Sequence, residues 1–220
     1  MKSPDDDASP AAPQPENPEP RYADRVFRSP SGIAGGVLLL ALGGWLGIDA
    51  VINGDGRTPW VALAGLLCVV PLVVAFTLRP AVFAGEDRLR VRNPFRTINL
   101  PWASVEGVRA GYSAEVLAGG GKYQLWAVPV SLRQRKRATR RQARAAADDP
   151  SGRTKAHSGV DIDEKLRAPA DQTVDDLREL AERNARRKGA QGEPEVRWAV
   201  ELIAPAVAGA VLLIVLLAVG

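Results

Sequence analysis

The stretch NPFRTINLPWASVEGV, Asn93 to Val108, decides how this chain is interpreted, because it lies between hydrophobic segments but does not itself resemble one. Polar and apolar residues alternate along it, which is typical of a half-buried β-strand. Pro101 and Trp102 interrupt the alternation in the middle and predict a corner between two strands. The stretch therefore predicts a small β-domain placed between hydrophobic helices.

Three uncharged hydrophobic blocks surround this stretch, and each is 18 or 19 residues long: Ser31–Ile48, Trp60–Leu78 and Leu202–Gly220. A helix of roughly 20 apolar residues crosses a hydrocarbon core about 30 Å thick. We therefore expect a two-helix transmembrane hairpin within residues 30–79 and a C-terminal transmembrane helix within 196–220. The alternative for any one block is a helix buried in a protein core.

Residues 1–29 form a tail that begins with the acidic, Pro-rich sequence MKSPDDDASPAAPQPENPEP, and this composition predicts disorder. The first hydrophobic block has no clear cleavage pattern after it, so we expect an uncleaved anchor and not a signal peptide. Basic residues flank the predicted hairpin on both sides, whereas its loop holds only Arg57. The positive-inside rule then predicts a multi-pass protein of the cell membrane, with the N-terminus and residues 79–197 cytoplasmic and the C-terminus outside.

Residues 81–128 divide into about six short, β-rich runs separated by turn residues. In RLRVR (88–92) the alternation sends two apolar side chains to one face and three arginines to the other. We expect an antiparallel sheet that folds on itself into a half-barrel. The predicted domain core consists of Leu89, Val91, Ile98, Leu100, Trp102, Val105, Val108 and Trp126.

The sequence RLRVRNPFRTINLPWASVEGV, followed by GYSAEVLAGGGKYQLWAVP, resembles the bacterial pleckstrin-homology-like (PH-like) domain of actinobacterial membrane proteins, the low molecular weight protein antigen 6 family. The shared features are the Asn-Pro-x-Arg turn at 93–96, the Leu-Pro-Trp corner at 100–102 with Val105 and Val108 after it, and the Trp-Ala-Val strand at 126–128. The two predicted helices ahead of the domain also fit, so the resemblance covers residues 30–130. It implies an α+β membrane protein that binds lipid head groups or proteins, and it supplies no catalytic residue.

After Pro129 the chain departs from that family pattern, and residues 131–149 predict a basic helix. We expect the cytoplasmic β-domain to cover residues 80–147, which include most of this helix. Seven Lys or Arg residues and no acid lie between Arg133 and Arg144. Such a cluster near a membrane attracts anionic lipids. A solvated face that only reinforces topology remains an open alternative, and nucleic acid is the least favoured partner because no aromatic residue lies in the cluster to stack on bases. The candidate residues for lipid or partner contact are Arg88, Arg90, Arg92, Arg96, Lys122, Arg133, Arg137, Arg140, Arg141 and Arg144.

The remaining cytoplasmic sequence predicts a flexible linker over 148–170 and an amphipathic helix over 171–189. An apolar stripe on that helix docks either on the β-domain or on another copy: Val174, Leu177, Leu180 and Ala181. Glycines in the first hydrophobic block recur on one face and predict close helix packing, either within the chain or in a homo-oligomer: Gly32, Gly36, Gly43 and Gly47.

Enzymatic chemistry is not expected, because the chain holds one histidine and one cysteine and no nucleophile, metal-binding or phosphate-binding motif. His157 lies in the predicted linker and Cys68 in the second hydrophobic block. We expect no catalytic residue, no metal and no cofactor. The leading hypothesis is a membrane-anchored module that binds anionic lipid head groups, and the alternative is a scaffold or accessory subunit of a cell-envelope, division or transport complex.

Overall fold

The computed structural model describes residues 25–131, 133, 136, 137, 139, 140 and 169–219. Three of its helices are long and apolar enough to cross a membrane. Helices α1 (Pro30–Asn53) and α2 (Thr58–Val73) form a hairpin, and α2 continues as a π-helical turn, Val74–Leu78. The other two are α3 (Pro169–Asn184), which is short and amphipathic, and α4 (Val200–Ala218), the third long apolar helix.

Helix α1 begins at a capped end, because the Ser29 hydroxyl accepts a hydrogen bond from the Gly32 amide at 3.2 Å and Pro30 occupies the first turn. Helix α2 lies between α1 and α4 and packs against both. Glycines make these approaches possible: a Cβ at Gly36 would collide with the Thr77 side chain, and one at Gly209 with the backbone of α2 at Cys68.

The glycines predicted to lie on one face of α1 differ in what they contact. Gly36 and Gly47 pack within the chain, the latter against Leu66, whereas nothing lies within 4 Å of a Cβ built at Gly43. Packing among the helices of one chain accounts for the first pair without a second copy.

Within the part of the chain that the structure describes, eight strands form two antiparallel sheets. The first sheet has the order β1-β2-β3-β4-β8 and the second the order β5-β6-β7. A 3₁₀ turn, Trp102–Ser104, connects them at the predicted Leu-Pro-Trp corner. The strands are β1 (Arg25–Phe27), β2 (Ala81–Ala84), β3 (Arg88–Arg92), β4 (Arg96–Pro101), β5 (Val105–Ala110), β6 (Ala114–Ala118), β7 (Gly121–Gln124) and β8 (Glu195–Trp198).

Two of these strands lie outside the region in which strands were predicted. Strand β1 precedes α1 and pairs with β2, so the α1–α2 hairpin is inserted between two neighbouring strands. Strand β8 pairs with β4 and leads directly into α4. The first sheet therefore includes residues on both sides of the predicted β-domain, residues 80–147. Strands of three or four residues have too few positions to show a period, and their partners are distant in sequence.

The core of the domain lies between the two sheets and α3. Six of the eight predicted core side chains are buried there: Leu89, Val91, Ile98, Leu100, Trp102 and Val108. Val105 is half-buried against them. The α3 stripe of Val174, Leu177 and Leu180 belongs to the same core and packs on β5, so this stripe is occupied within the chain.

Trp126 does not lie in that core, and its side chain is 44% exposed. The chain leaves β7 at Gln124 and turns, with the Val128 amide donating to the Leu125 carbonyl at 3.1 Å. This turn breaks the alternation on which the prediction depended. The predicted strand over 122–128 is correspondingly shorter.

Candidate functional site

Three arginines on one side of β3 form a cationic surface, here called the arginine face: Arg88 and Arg90, which are exposed, and Arg92, which is half-buried. The alternating Leu89 and Val91 are fully buried on the other side of the strand. Alternate residues of a strand lie about 7 Å apart, so the three charges are neighbours. No carboxylate among the described residues makes an ion pair with any of them. This part of the surface therefore keeps its positive charge.

The arginine face has one end towards the long helices and one end away from them. The chain passes between the sheet and the helices three times: from β1 to α1, from α2 to β2 and from β8 to α4. The register places Arg92 opposite Ala81, the first residue of β2, whereas Arg88 is opposite Pro101. Arg92 therefore lies at the helix-facing end, and Arg88 lies about 13 Å further along the strand.

An aromatic ring orients the arginines at the helix-facing end. Phe83 of β2 lies on the same side of the sheet, since it pairs with Arg90. The guanidinium carbons of Arg92 and Arg28 lie 5.0 and 6.0 Å from the centre of its ring. Cation–π attraction at these distances holds both charges beside the start of α1.

Arg79 connects the sheet to the helices. Its guanidinium donates to the Thr97 hydroxyl at 3.1 Å, to the Asn93 carbonyl at 3.3 Å and to the Glu201 carboxylate of α4 at 2.8 Å. The side chain is only 17% exposed. Arg79 is therefore a structural link between α2, the first sheet and α4, with its donors already engaged.

One carboxylate on this side of the first sheet compensates part of the charge. Glu195 of β8 pairs with Asn99, which in turn pairs with Arg90. The hydrogen bond from Arg197 lowers the pKa of Glu195, the hydrogen bond from Asn99 lowers it further, and the charges of Arg197 and Arg88 add to the effect. Glu195 therefore acts on the middle and far part of the arginine face and less on Arg92.

The other predicted contact residues are not brought onto this face. Lys122 lies on β7 of the second sheet, where its ammonium is 3.0 Å from the carboxylate of Glu115. Arg109 lies 3.4 Å from the same carboxylate, and Ser113 donates to it at 2.9 Å. The hydrogen bond from Lys122, followed by that from Ser113, lowers the pKa of Glu115. Lys122 and Arg109 thus share one carboxylate, which offsets part of their charge.

Arg96 is exposed at the helix-facing end of β4, opposite Trp198. It alternates with Thr97, so it lies on the other side of the sheet from Arg92. Of the predicted basic helix, Arg133, Arg137 and Arg140 are helical and exposed. The predictions for Arg141 and Arg144, for linker residues 148–168 and for tail residues 1–24 fall outside the described residues. The described ends of those two segments are ordered elements, because residues 25–27 form β1 and residues 169–170 begin α3.

A cleft of about 410 Å³ at the other end of β2 also holds arginines. Arg187 there pairs with Glu86 at 2.8 Å and with Asp87 at 3.1 Å, and Arg183 lies 3.7 Å from Glu179. Because these cations have acidic neighbours, the cleft is a weaker candidate for an anion than the helix-facing end of the arginine face.

Sequence reasoning missed the residues that organise the helix-facing end. Asn93 is 97% buried, and its side-chain amide donates to the Gln124 carbonyl at 2.8 Å, so the β3–β4 turn is tied to the end of β7. The Asn-Pro dipeptide predicted a turn, but nothing local indicated this partner in the second sheet. Arg28 and Phe83 were missed for the same reason, because their contact joins residues on either side of the inserted hairpin.

Comparison with known proteins bears on the β-domain. A family model described as a bacterial PH domain matches residues 79–191, just over half of the 220-residue chain. The matched range contains β2 to β7 and α3, whereas β1, the three long helices and β8 lie outside it. No curated protein and no solved structure matches the chain.

Proposed function

The chain belongs to the bacterial PH domain family, and on that premise we propose that it is a membrane-anchored, non-enzymatic module that binds anionic lipid head groups. PH domains commonly bind lipids or proteins, so the family supports a binding role in general terms. We also propose that the chain is a member of the low molecular weight protein antigen 6 family and comes from an actinobacterium.

Anchoring by α1, α2 and α4 is the first element of the proposal. The exposed arginines of the described region gather at the β-domain end of these helices, whereas the α1–α2 loop contributes only Arg57, which donates to the Leu216 carbonyl of α4 at 3.1 Å. The positive-inside rule then places the β-domain in the cytoplasm and the end of α4 outside, in the cell membrane.

The observation that carries the lipid hypothesis is the position of Arg92 and Arg28 around Phe83, beside the ends of three apolar helices. The head-group layer is only about 5–8 Å thick on each side, and the Debye length at physiological salt is about 8 Å. Arg92 can act within that range. Arg88, about 13 Å further along the strand, lies beyond it.

Lipid selectivity of the full chain tests this proposal. The protein is reconstituted in phosphatidylcholine vesicles, and spin-labelled phosphatidylglycerol is compared with spin-labelled phosphatidylcholine for association with it. We expect a preference for phosphatidylglycerol that is reduced in the Arg92→Gln/Arg96→Gln variant and retained in the matched Lys122→Gln control. Equal association of the two lipids with the wild-type chain would show that the lipid hypothesis is wrong.

The full chain is required because a fragment of residues 80–147 lacks β1, α3 and β8, which complete the sheet and core. Reporter fusions near positions 55, 120 and 220 test the anchoring separately. A cytoplasmic signal is expected at 120 and an external signal at 55 and 220. An external signal at 120 would overturn the arrangement.

A protein partner is the second candidate, and the far part of the arginine face favours it. Arg88 and Arg90 are exposed. Arg88 lies beyond the reach of head groups and Arg90 lies between it and Arg92, so an acidic protein surface is the occupant of matching charge for this part of the face. The α3 stripe no longer supports a scaffold role, because it is buried in its own domain. Selective loss of a crosslinked neighbour in the Arg88→Glu/Arg90→Glu variant, with lipid preference unchanged, would support this candidate.

A further inference from the structure

Exposed aromatic side chains of the β-domain gather at the end that faces the long helices. Outside those helices, the described residues include three aromatic side chains that are largely exposed: Tyr112 at 93%, Trp126 at 44% and Trp198 at 64%. Exposed aromatic surface is unfavourable in water. Its concentration at one end of the domain therefore requires a physical reason.

Trp126 contacts a long helix directly. Its ring lies 5.6 Å from that of Phe76, in the last turn of α2, and Phe76 is 5.2 Å from Phe95 in the β3–β4 turn. The Trp126 amide also donates to the Asn93 side chain at 3.4 Å. A loop residue of the β-domain is thus held beside the end of a helix that is apolar enough to cross a membrane.

Strand pairing and a backbone hydrogen bond connect Trp198 and Tyr112 to the segments that make this contact. Trp198 is the last residue of β8, immediately before α4, and pairs with Arg96. Tyr112 lies in the β5–β6 turn, two residues before Ala114, whose carbonyl accepts a hydrogen bond from the Leu125 amide at 2.8 Å. That hydrogen bond places the turn next to Trp126.

Trp and Tyr are the residues that concentrate at the boundary between head groups and acyl chains, because each has an apolar ring and a polar group that hydrogen-bonds. We infer that Tyr112, Trp126 and Trp198 form a membrane-contact surface through which the β-domain enters the interfacial layer of the bilayer. Its continuity with the apolar surfaces of α2 and α4 identifies the bilayer as the occupant. This inference rests on the proposed membrane anchoring.

The contact surface fixes the orientation of the domain. Three chain passages and three aromatic side chains at one end hold the β-strands upright on the membrane, with Arg92 at head-group depth and Arg88 away from it. The domain does not swing freely at the end of a tether. In this orientation only the helix-facing part of the arginine face reaches lipid, which is what the proposed function requires.

Quenching by brominated lipids measures this contact in the full chain. A background variant carries Phe in place of Trp45, Trp60, Trp126 and Trp198 and retains Trp102, which is buried in the domain core and provides the baseline. Trp45, Trp126 or Trp198 is then restored one at a time. The chains are reconstituted in neutral phosphatidylcholine, so that arginine–lipid attraction does not contribute, with bromine placed near the head group or deep in the acyl chain.

A matched control has an exposed tryptophan at the opposite end of the domain. Lys188 is exposed and follows Arg187, which pairs with Glu86 and Asp87 in the β2–β3 turn. We expect restored Trp126 and Trp198 to be quenched more by shallow than by deep bromine, restored Trp45 to show the reverse, and the Lys188→Trp chain to match the background.

The quenching results distinguish a failure of the membrane-contact surface from a failure of the membrane anchoring. Quenching of Trp45 with Trp126 and Trp198 at the level of the Lys188→Trp control would overturn the contact surface and leave the anchoring intact. If Trp45 is not quenched either, the anchoring itself is wrong. Shielding of Trp126 and Trp198 from both bromine and soluble acrylamide would show that a protein, and not lipid, covers the surface, and this result also overturns the inference.

Discussion

The two sheets of the β-domain carry similar cations but use them differently. On the first sheet, Arg88, Arg90 and Arg92 stand in a row without an ion-pair partner among the described residues. On the second sheet, Arg109 and Lys122 converge on Glu115, whose single negative charge offsets part of theirs. The sequence alone made Lys122 and Arg92 equal candidates.

A cationic residue on a strand is available to bind an anion only if its neighbours on the adjacent strands carry no negative charge. In the first sheet the neighbours across the strands are Thr97, Asn99 and Phe83, which are uncharged. In the second sheet the neighbour is a carboxylate. Five experiments test this difference.

The comparison requires that both sheets belong to one folding unit, and Trp102 holds them together. Its ring is fully buried at the corner between the sheets, and its indole nitrogen donates to the Gly85 carbonyl at 2.9 Å. Trp102→Ala is expected to reduce the free energy of unfolding by about 3–5 kcal/mol. Thermal unfolding of the reconstituted chain measures the loss. Trp102→Phe, which keeps most of the ring, is the control and should lose clearly less.

Arg92→Gln should reduce the preference for phosphatidylglycerol more than any other single change on the arginine face. One charge at the surface of an anionic membrane contributes about 1 kcal/mol, which corresponds to a decrease of up to about fivefold in relative association. Spin-labelled lipid association measures it. An unchanged preference would show that Arg92 does not contact head groups.

Glu115→Gln should make the second sheet behave more like the first. The substitution keeps the shape of the side chain but removes the negative charge that pairs with Arg109 and Lys122. Glu115 pairs with Gln124, which is tied to the helix-facing β3–β4 turn. The freed cations should therefore raise the preference for phosphatidylglycerol by about twofold, a fraction of the contribution per fully engaged charge. A decrease would contradict the comparison.

Arg88→Gln should change the preference less than twofold, because its charge lies more than one Debye length beyond Arg92 at physiological salt. The same lipid-association assay applies. An effect as large as that of Arg92→Gln would mean that the sheet lies flat on the membrane, and the upright orientation would then be wrong.

The smallest effect concerns pH. The Lys122 and Ser113 hydrogen bonds lower the pKa of Glu115, so its contribution to stability is complete above the ordinary glutamate range and is lost as pH falls through the lowered value. No change is expected near neutral pH. Carboxyl NMR titration of Glu115 should show its pKa rising towards the ordinary range, about 4.3, in Lys122→Gln and rising less in Ser113→Ala. The opposite order would contradict the assignment of Lys122 as the main cause.

Much of the architecture could be predicted from local sequence patterns. Strand β3 has the limits that alternation predicted, and the Leu-Pro-Trp corner turns the chain between the sheets. The PH-like domain, predicted by resemblance, is confirmed by the family match over residues 79–191. Alternation succeeds in such strands because one face is buried and the other is wet.

The remaining features depend on contacts between distant parts of the chain. Strand β1 is three residues long and finds its partner across the whole inserted hairpin. Trp126 points towards Phe76 because Asn93 and the end of β7 turn the chain there. Neither feature has a periodic signal, since each is decided by a residue many positions away.

Local sequence alone predicts the three apolar helices, because each is an uncharged block long enough to cross a membrane. It also predicts the central strands and the row of arginines on one side of β3, because both follow from a repeat of two residues. The tertiary structure decided which charges remain uncompensated and which end of the sheet lies towards the helices. Both depend on strand pairing: Lys122 meets Glu115 only when β7 lies beside β6, and Arg92 reaches the helix-facing end only because β3 pairs with the strand that follows α2.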